Sequence, residues 1–511
     1  MYPGAFATTT PDKAAALLAE TGETLTYREL EEGSARLARV LHDAGLRRGD
    51  TLAMITGNDL TAFEIYWAAM RSGLYLTAVN HNLAAEEIAF IVNDSGAKAI
   101  VVAASKATVA EAIVDSTRAV QVRLAYGGPV HGHDDYDAAM KAVSAVPFPD
   151  QPRGSDMLYS SGTTGRPKGI KVPLPDRQVS EPGDQYVALF VPYFGLSSES
   201  VYLSPAPIYH AAPLRFCATV QAIGGTVVMM KKFDPEGALQ AIESRGITHL
   251  QMVPTMFVRL LKLDPQVRAK YDLSSLKTAI HAAAPCPPDV KRAMIGWWGP
   301  ILTEYYASTE GNGGTLVSSA DWLRKPATVG KAFLGVPRIC AEDGSVLGVG
   351  ETGLVYFERE AAPFEYHNDP EKTADSRHPQ HPTWTTVGDV GYLDDEGFLF
   401  LTDRKSFTII SGGVNIYPQE IENALTLHPK LLDVAVFGIP DPEMGQQVVG
   451  AIQLADGVEP SDVVREEILA FLSDRVARFK LPRAIHFVDD LPRTATGKLA
   501  KQQLVKAYSV P

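Results

Sequence analysis

Residues 159–170 read YSSGTTGRPKGI. Three glycines, two serines, two threonines and two cations stand within twelve residues. In a turn this rich in glycine, several backbone N–H groups can point at one anion, and the hydroxyls add further donors. Lys168 adds a compact charge on a flexible stem. The same composition also makes an ordinary surface turn. The stretch is not a Walker-type phosphate loop. G-x-x-x-x-G-K-[ST] counted from Gly162 needs a glycine at 167, and the chain has Pro167 there.

The flanks of this stretch set the fold class. A Pro-rich connection, VSAVPFPDQPRG (143–154), leads into it. Upstream, Thr26 followed by Glu29 forms a capping box, and Leu30, Leu37 and Leu41 share one helical face behind it. TLAMI (51–55) reads as a short buried strand, NDLTAFEIYWAAMRSG (58–73) as a helix, and LYLTAV and KAIVVAA as strands. Downstream the alternation resumes: GTVVMM strand, PEGALQAIESRG helix, THLQMV strand, TMFVRLLKL helix. Strand–helix–strand units of this kind predict a parallel sheet with helices packed on it.

From Gly391 the texture changes. GYLDDEGFLFL alternates around a turn and predicts a hairpin. Beyond it come a strand FTIIS, a helix YPQEIENALTLH, a strand DVAVFGI and a long helix SDVVREEILAFLSDRVARF. The expectation is α/β: a large N-terminal domain, 1–403, of parallel-rich sheets with packed helices, and a small mobile α+β C-terminal domain, 404–511.

Composition narrows the function classes. The 511 residues exceed one core of ordinary size, and 45% apolar with 21% charged residues is globular. The 47 Lys+Arg stand against 60 Asp+Glu, a net charge of −13. That excludes a broad basic footprint for nucleic acid, while leaving room for a local cationic pocket. Cys217, Cys286 and Cys340 are far apart and form neither a zinc nor a disulfide pattern, which fits a reducing cytoplasm. The N-terminus shows no secretory signal, and the apolar runs VALFV and TVVMM are too short to span a bilayer.

SSGTTGRPKG closely resembles the pyrophosphate-binding signature of the adenylate-forming enzymes, which include acyl-CoA synthetases, aryl-CoA ligases, luciferases and adenylation domains of peptide synthetases. Four further stretches resemble that family's motifs, in the same order along the chain. HAAAPCPP (281–288) looks like its adenine loop, with His281 where glycine is usual; EYYASTEG (304–311) is similar to its Tyr-Gly-x-Thr-Glu motif, with Ala307 for glycine. TTVGDVGYLDDEGFLFLTDRKS (385–406) resembles its ribose-binding region. ISGGVNIYPQEIE (410–422) and LPRTATGKLAK (491–501) match its C-terminal motifs. Taken singly, most of these are turns, solvated charges or core residues; their order across residues 159–498 is what carries the resemblance.

The resemblance implies ATP, Mg2+ and coenzyme A as cofactor and cosubstrates, and a two-step ligase reaction through an acyl-adenylate. It assigns Ser160, Ser161, Gly162, Thr163, Thr164, Gly165 and Lys168 to the pyrophosphate, and Ala283, Ala284, Pro285 and Tyr306 to adenine. Thr309 would meet the α-phosphate or acyl carboxylate, and Glu310 would hold Mg2+. Asp389 would accept from the ribose hydroxyls, with Arg404 also on the nucleotide. Gly412 and Gly413 would let the pantetheine arm of CoA pass, and Lys498 would be the catalytic lysine. The hinge position falls on Ser406, where Asp or Lys is usual.

His210, in PAPIYHAAPLRF (205–216), matches the position beside the substrate carboxylate. That segment has no acidic residue to pair with an α-amino group, and Gln251, Val253, Pro254, Gly311, Gly313 and Gly314 suggest a roomy apolar pocket. The expected substrate is a hydrophobic acid: a medium- or long-chain fatty acid, an aryl acid or a sterol-derived acid. The alternatives are an acyl-AMP ligase that loads an acyl carrier protein and a catalytically inactive nucleotide-binding relative. Expected partners are small molecules only, in a cytoplasmic monomer or homodimer.

Overall fold

A computed structural model describes residues 2–160, 167–405, 407–493 and 499–509. The chain divides into two compact units. The first comprises Met1–Met252, Leu263–Ile280 and Phe364–Thr373; the second comprises Val253–Lys262, His281–Pro363 and Ala374–Pro511.

The first unit holds the parallel sheets that its alternating pattern predicts. One runs in the order Asp134–Asp135, Val122–Tyr126, Ala97–Ala103, Thr51–Ile55, Tyr75–Ala78, Ser155–Asp156, every pair parallel. Its strands read as continuous apolar runs because helices cover the sheet. Ile55, Ile88, Ile91, Ile100 and Val102 fill one such layer. In the same unit His249–Met252, Val201–Ser204, Thr226–Met229 and Ala14–Leu18 pair in parallel, with Thr24–Thr26 antiparallel at the edge. The capping box forms as expected. Thr26 Oγ1 accepts from the Glu29 N–H at 3.2 Å, and the Thr26 N–H donates to Glu29 Oε2 at 2.8 Å. Leu30, Leu37 and Leu41 are then buried along the helix Tyr27–Asp43.

The second unit contains two sheets. The first is antiparallel throughout: Leu302–Ala307, Gly314–Ser318, Thr328–Leu334, Leu399–Arg404, Asp389–Leu393, Gly353–Glu358, Val336–Cys340. Only its 391–401 hairpin is visible in the sequence pattern. The rest escapes because its strands are joined by turns, as between Ala307 and Gly314, or by the six-residue helix Ser319–Arg324, and not by the long crossover helices of a parallel sheet. The second sheet pairs Val414–Ile416, Ile409–Ser411, Gly445–Leu454 and Leu431–Asp441 antiparallel, with Ala484–Val488 added in parallel. Its core gathers Ile409, Ile421, Leu425, Val436, Ile468 and Leu472 from the strands and from the helices Pro418–Leu425 and Asp462–Ser473.

Among the described residues, no helix is long and apolar enough to cross a membrane.

Candidate active site

In the first unit, the opening stretch is a hairpin base. Leu158–Ser160 and Lys168–Lys171 are antiparallel, and Ser160 stands directly opposite Lys168. Glu365–Tyr366 flanks the second of these strands, and the Lys168 Nζ lies 5.5 Å from the Tyr366 ring centroid. The Tyr159 hydroxyl donates to Asp94 Oδ2 at 2.6 Å, which ties the base to the helix Ala85–Asp94. Gly169 makes room for the ring: a Cβ would come 2.9 Å from Tyr159 and 3.1 Å from Met157, so a larger residue would make these side chains shift. The strands therefore deliver Ser160 and Lys168 together, as the phosphate reading needs. Ser161, Gly162, Thr163, Thr164 and Gly165 lie outside the described residues.

His210 is the extended residue at the start of the helix Ala211–Ala222, half-buried, with its ring tilted on Tyr209 at 4.6 Å. Tyr209 in turn meets the His81 ring edge-on and accepts from Asn82 Nδ2 at 3.1 Å. The same helix is pinned by a buried pair invisible in sequence: Arg215 Nη2 lies 2.6 Å from Asp156 Oδ2. Phe216 stacks on Phe190 at 4.2 Å, so this face is aromatic as well as apolar.

In the second unit, the nucleotide candidates converge. Asp389 and Arg404 face each other across paired strands. Arg404 Nε donates to Asp389 Oδ1 at 3.0 Å, and the Tyr306 hydroxyl donates to Asp389 Oδ2 at 2.6 Å. Three residues separated by up to 98 positions in sequence form one hydrogen-bonded group. Burial, reinforced by the Asp389 charge, pushes the Tyr306 phenol well above its usual range. Burial alone would lower the Arg404 guanidinium, but the adjacent Asp389 holds it above its usual value.

Thr309 and Glu310 follow in the turn that leaves the Tyr306 strand. Gly311 takes φ +65° and its N–H closes the turn on the Ser308 carbonyl at 3.1 Å. Arg359 Nη1 caps the Gly311 carbonyl at 3.1 Å, and Ser308 Oγ bonds the buried Asn312 amide at 2.8 Å. Glu310 is 9% exposed. Gly313 and Gly314 do not leave open space as the sequence suggests. A Cβ at 313 would lie 2.0 Å from the Phe357 ring, and one at 314 would lie 2.7 Å from Phe333.

The adenine-loop candidates Ala283, Ala284 and Pro285 are exposed, and Ala283 adopts φ +75°. An alanine in this left-handed region costs on the order of 1 kcal/mol, which glycine would not incur. Beneath the loop lies a buried group that the sequence did not reveal. Lys291 Nζ is 2.5 Å from Glu304 Oε2, and His281 Nε2 is 3.7 Å from the same oxygen. Burial, together with the Lys291 charge, holds the His281 imidazole well below its usual value, so it is neutral. His281 is thus a core residue beside an ion pair.

Gly412 (φ +57°) and Gly413 (φ +77°) make the two-residue turn between Ile409–Ser411 and Val414–Ile416. Nothing lies within 4 Å of a Cβ placed on Gly413, whereas one on Gly412 would meet Met444 at 2.5 Å. Lys498 and Ser406 lie outside the described residues.

The chain belongs to the AMP-binding enzyme family: residues 5–362 match the family's main model, "AMP-binding enzyme", and residues 420–498 match "AMP-binding enzyme C-terminal domain". A feruloyl-CoA synthase of an Amycolatopsis species is 32% identical over 95% of this chain and 94% of its own. A fatty acid–[acyl-carrier-protein] ligase, ScoC, of Streptomyces coeruleorubidus is 31% identical over 94% of this chain and 91% of its own. The o-succinylbenzoate CoA synthetase MenE of Bacillus subtilis, solved with its acyl-adenylate intermediate, superposes with a TM-score of 0.81 at 26% identity, covering 98% of this chain and 97% of that one.

Proposed function

We propose that the protein is an ATP-dependent acyl-CoA synthetase that converts a hydrophobic carboxylic acid, ATP and CoA into acyl-CoA, AMP and pyrophosphate. The Tyr306–Asp389–Arg404 group carries this reading. A buried carboxylate that already accepts from a phenol and a guanidinium keeps acceptor capacity for a ribose diol.

In the first half-reaction the acid's carboxylate attacks the α-phosphate of ATP, and pyrophosphate leaves. Two anions must meet, so the barrier is positional and electrostatic. Lys498 bridges the carboxylate and the phosphate, Thr309 donates to either, and the loop from Ser160 to Lys168 holds the leaving pyrophosphate. Tyr306 stacks on adenine against Ala283, Ala284 and Pro285, and His210 lies beside the acyl carboxylate. Glu310 offers one nearly buried oxygen ligand, and no group of three ligating side chains occurs among the described residues. That donor set suits Mg2+, which binds one or two carboxylates together with substrate phosphates. When bound, Mg2+ neutralises phosphate charge. In the second half-reaction the CoA thiol attacks the acyl carbonyl and AMP leaves, with the pantetheine passing Gly412 and Gly413. Residues 404–511 form the mobile lid domain, turning about Ser406 between the two steps.

The aromatic face at Phe190 and Phe216 supports a hydrophobic acid, fatty, aryl or sterol-derived. A monomer or homodimer in the cytoplasm completes the reading, which fits the unpaired Cys217, Cys286 and Cys340. The likeness to an acyl-carrier-protein ligase favours a second reading, in which the acyl group is loaded onto a carrier's phosphopantetheine. A panel of acids assayed for pyrophosphate release, with CoA or a phosphopantetheinylated carrier, tests both. Acid-dependent release followed by CoA thioester formation is expected. Turnover only with the carrier selects the second reading, and no release with any acid selects an inactive relative.

A further inference from the structure

The segment 494–498 carries the lysine assigned to adenylation, and both of its flanks are tied down. Arg493 pairs with Asp433, Arg493 bridges antiparallel to Leu499, and the Ala500 N–H donates to the Pro492 carbonyl at 2.8 Å. Lys501, three residues beyond Lys498, opens the helix Lys501–Tyr508. Its Nζ lies 2.7 Å from Glu422 Oε1, the two side chains 8% and 9% exposed, and 5.4 Å from the Phe407 ring centroid. Glu422 Oε1 is fixed by the Val436 N–H at 2.7 Å. A second carboxylate feels the charge of this ammonium. Burial pushes the Asp403 carboxyl up, and Lys501 is the charge that most opposes that rise. The Gln419 N–H donates to Asp403 Oδ2 at 3.4 Å. Lys501 is thus set among Glu422 and two residues, Asp403 and Phe407, that bracket the hinge position.

We infer that Lys501 is a positioning residue for adenylation: its ammonium, buried against Glu422 and 5.4 Å from the Phe407 ring centroid, fixes the start of the helix Lys501–Tyr508, three residues beyond Lys498. The inference rests on the role given to Lys498 above. A buried ion pair is poor value for stability alone, because apolar residues of like volume often replace one at no loss. Placement is a different matter, since an error of about 1 Å in a reacting group costs on the order of 100-fold in rate.

The test uses the full-length double variant Lys501→Met, Glu422→Leu, with Lys498→Ala beside it and the best acid of the panel. Acid-dependent pyrophosphate release should fall at least tenfold through kcat, with KM for ATP changed less than threefold. Thioester formation from supplied acyl-adenylate should stay within twofold of wild type. Should the double variant not fold, Lys501→Arg carries the same comparison, with a smaller selective loss expected. Equal loss in both half-reactions, or no loss in either, overturns the inference while Lys498→Ala still abolishes adenylation. If Lys498→Ala leaves adenylation intact, the reading of Lys498 falls and the inference falls with it.

Discussion

Asp389 shows how much one residue's partners determine. Both of its oxygens are engaged, one by the Tyr306 hydroxyl and one by Arg404 Nε. The ribose diol proposed to bind here would share these oxygens or displace the phenol. Hydrogen bonds to a charged acceptor contribute about 1.5–3 kcal/mol each. Asp389→Asn keeps the shape and removes the charge, so KM for ATP should rise at least tenfold while kcat at saturating ATP changes less. Steady-state kinetics with varied ATP check this, and an unchanged KM would remove Asp389 from the nucleotide site. Tyr306→Phe keeps the stacking ring and loses only the hydroxyl; its effect on KM for ATP should be several-fold smaller than that of Tyr306→Ala. Ala283 offers a cleaner stability test. Its φ of +75° is strained for alanine, so Ala283→Gly should leave Tm unchanged or raised, against the usual loss on adding a glycine. Ala283→Val should lower it, since a β-branched residue suits this backbone worse. Calorimetry on the pair decides, and a Tm drop with glycine as large as that with valine would refute the strain.

At the scale of elements, the helix Tyr27–Asp43 packs on Thr61–Met70 through a contact that pairs a glycine with an acid. A Cβ on Gly33 would lie 2.5 Å from the Glu64 carboxyl carbon. Burial pushes the Glu64 carboxyl up to about 7, opposed by the Tyr136 hydroxyl that donates to it at 3.1 Å; the Asp137 and Glu29 charges push it further and Arg36 opposes them. The sign of the pH dependence follows. The folded state keeps a proton on Glu64 that the unfolded chain releases near 4.5. Stability from this group is therefore full below about 4.5 and is lost as pH rises to about 7. Glu64→Gln removes the titration, so its Tm relative to wild type should increase between pH 5 and pH 8. A difference that stays constant with pH would show that Glu64 is ionised throughout. Leu30, Leu37 and Leu41 were readable from their helical spacing, because periodicity reports which face is buried. Glu64 was not, since nothing in its own sequence neighbourhood tells that Gly33 and Tyr136 will enclose it.

For the whole molecule, the legible part is what local sequence encodes. Strand–helix alternation predicts the parallel sheets, and the ordered motifs pick out Ser160, Lys168, Tyr306, Asp389 and Arg404 singly; that Ser160 stands opposite Lys168 and that the other three share hydrogen bonds is visible only in the fold. The illegible part depends on long-range pairing. The antiparallel strands of residues 302–358 are joined by turns and by one six-residue helix, Ser319–Arg324, too short to show a period, and Arg215 with Asp156, or Lys291 with Glu304, are ordinary charges until the fold buries them. The space behind Gly313 was misjudged for the same reason, because Phe357 fills it from a distant strand.

The largest consequence of the two-step reading concerns Lys498. If the C-terminal lid turns between half-reactions, a group that serves the first step need not be near the acyl carbonyl in the second. Lys498→Ala should then lower acid-dependent pyrophosphate release by at least 100-fold, roughly the 2.7 kcal/mol or more that one electrostatic contact supplies to a charged transition state. Thioester formation from supplied acyl-adenylate and CoA should remain within a few-fold of wild type. Gly413→Trp should do the reverse: the bulk fits the free space beside the turn, strains its positive φ and obstructs the thiol's path, sparing adenylation and slowing thioester formation. Opposite losses in the two variants are the outcome expected of a domain that takes two arrangements. Parallel losses would mean that one fixed arrangement performs both steps.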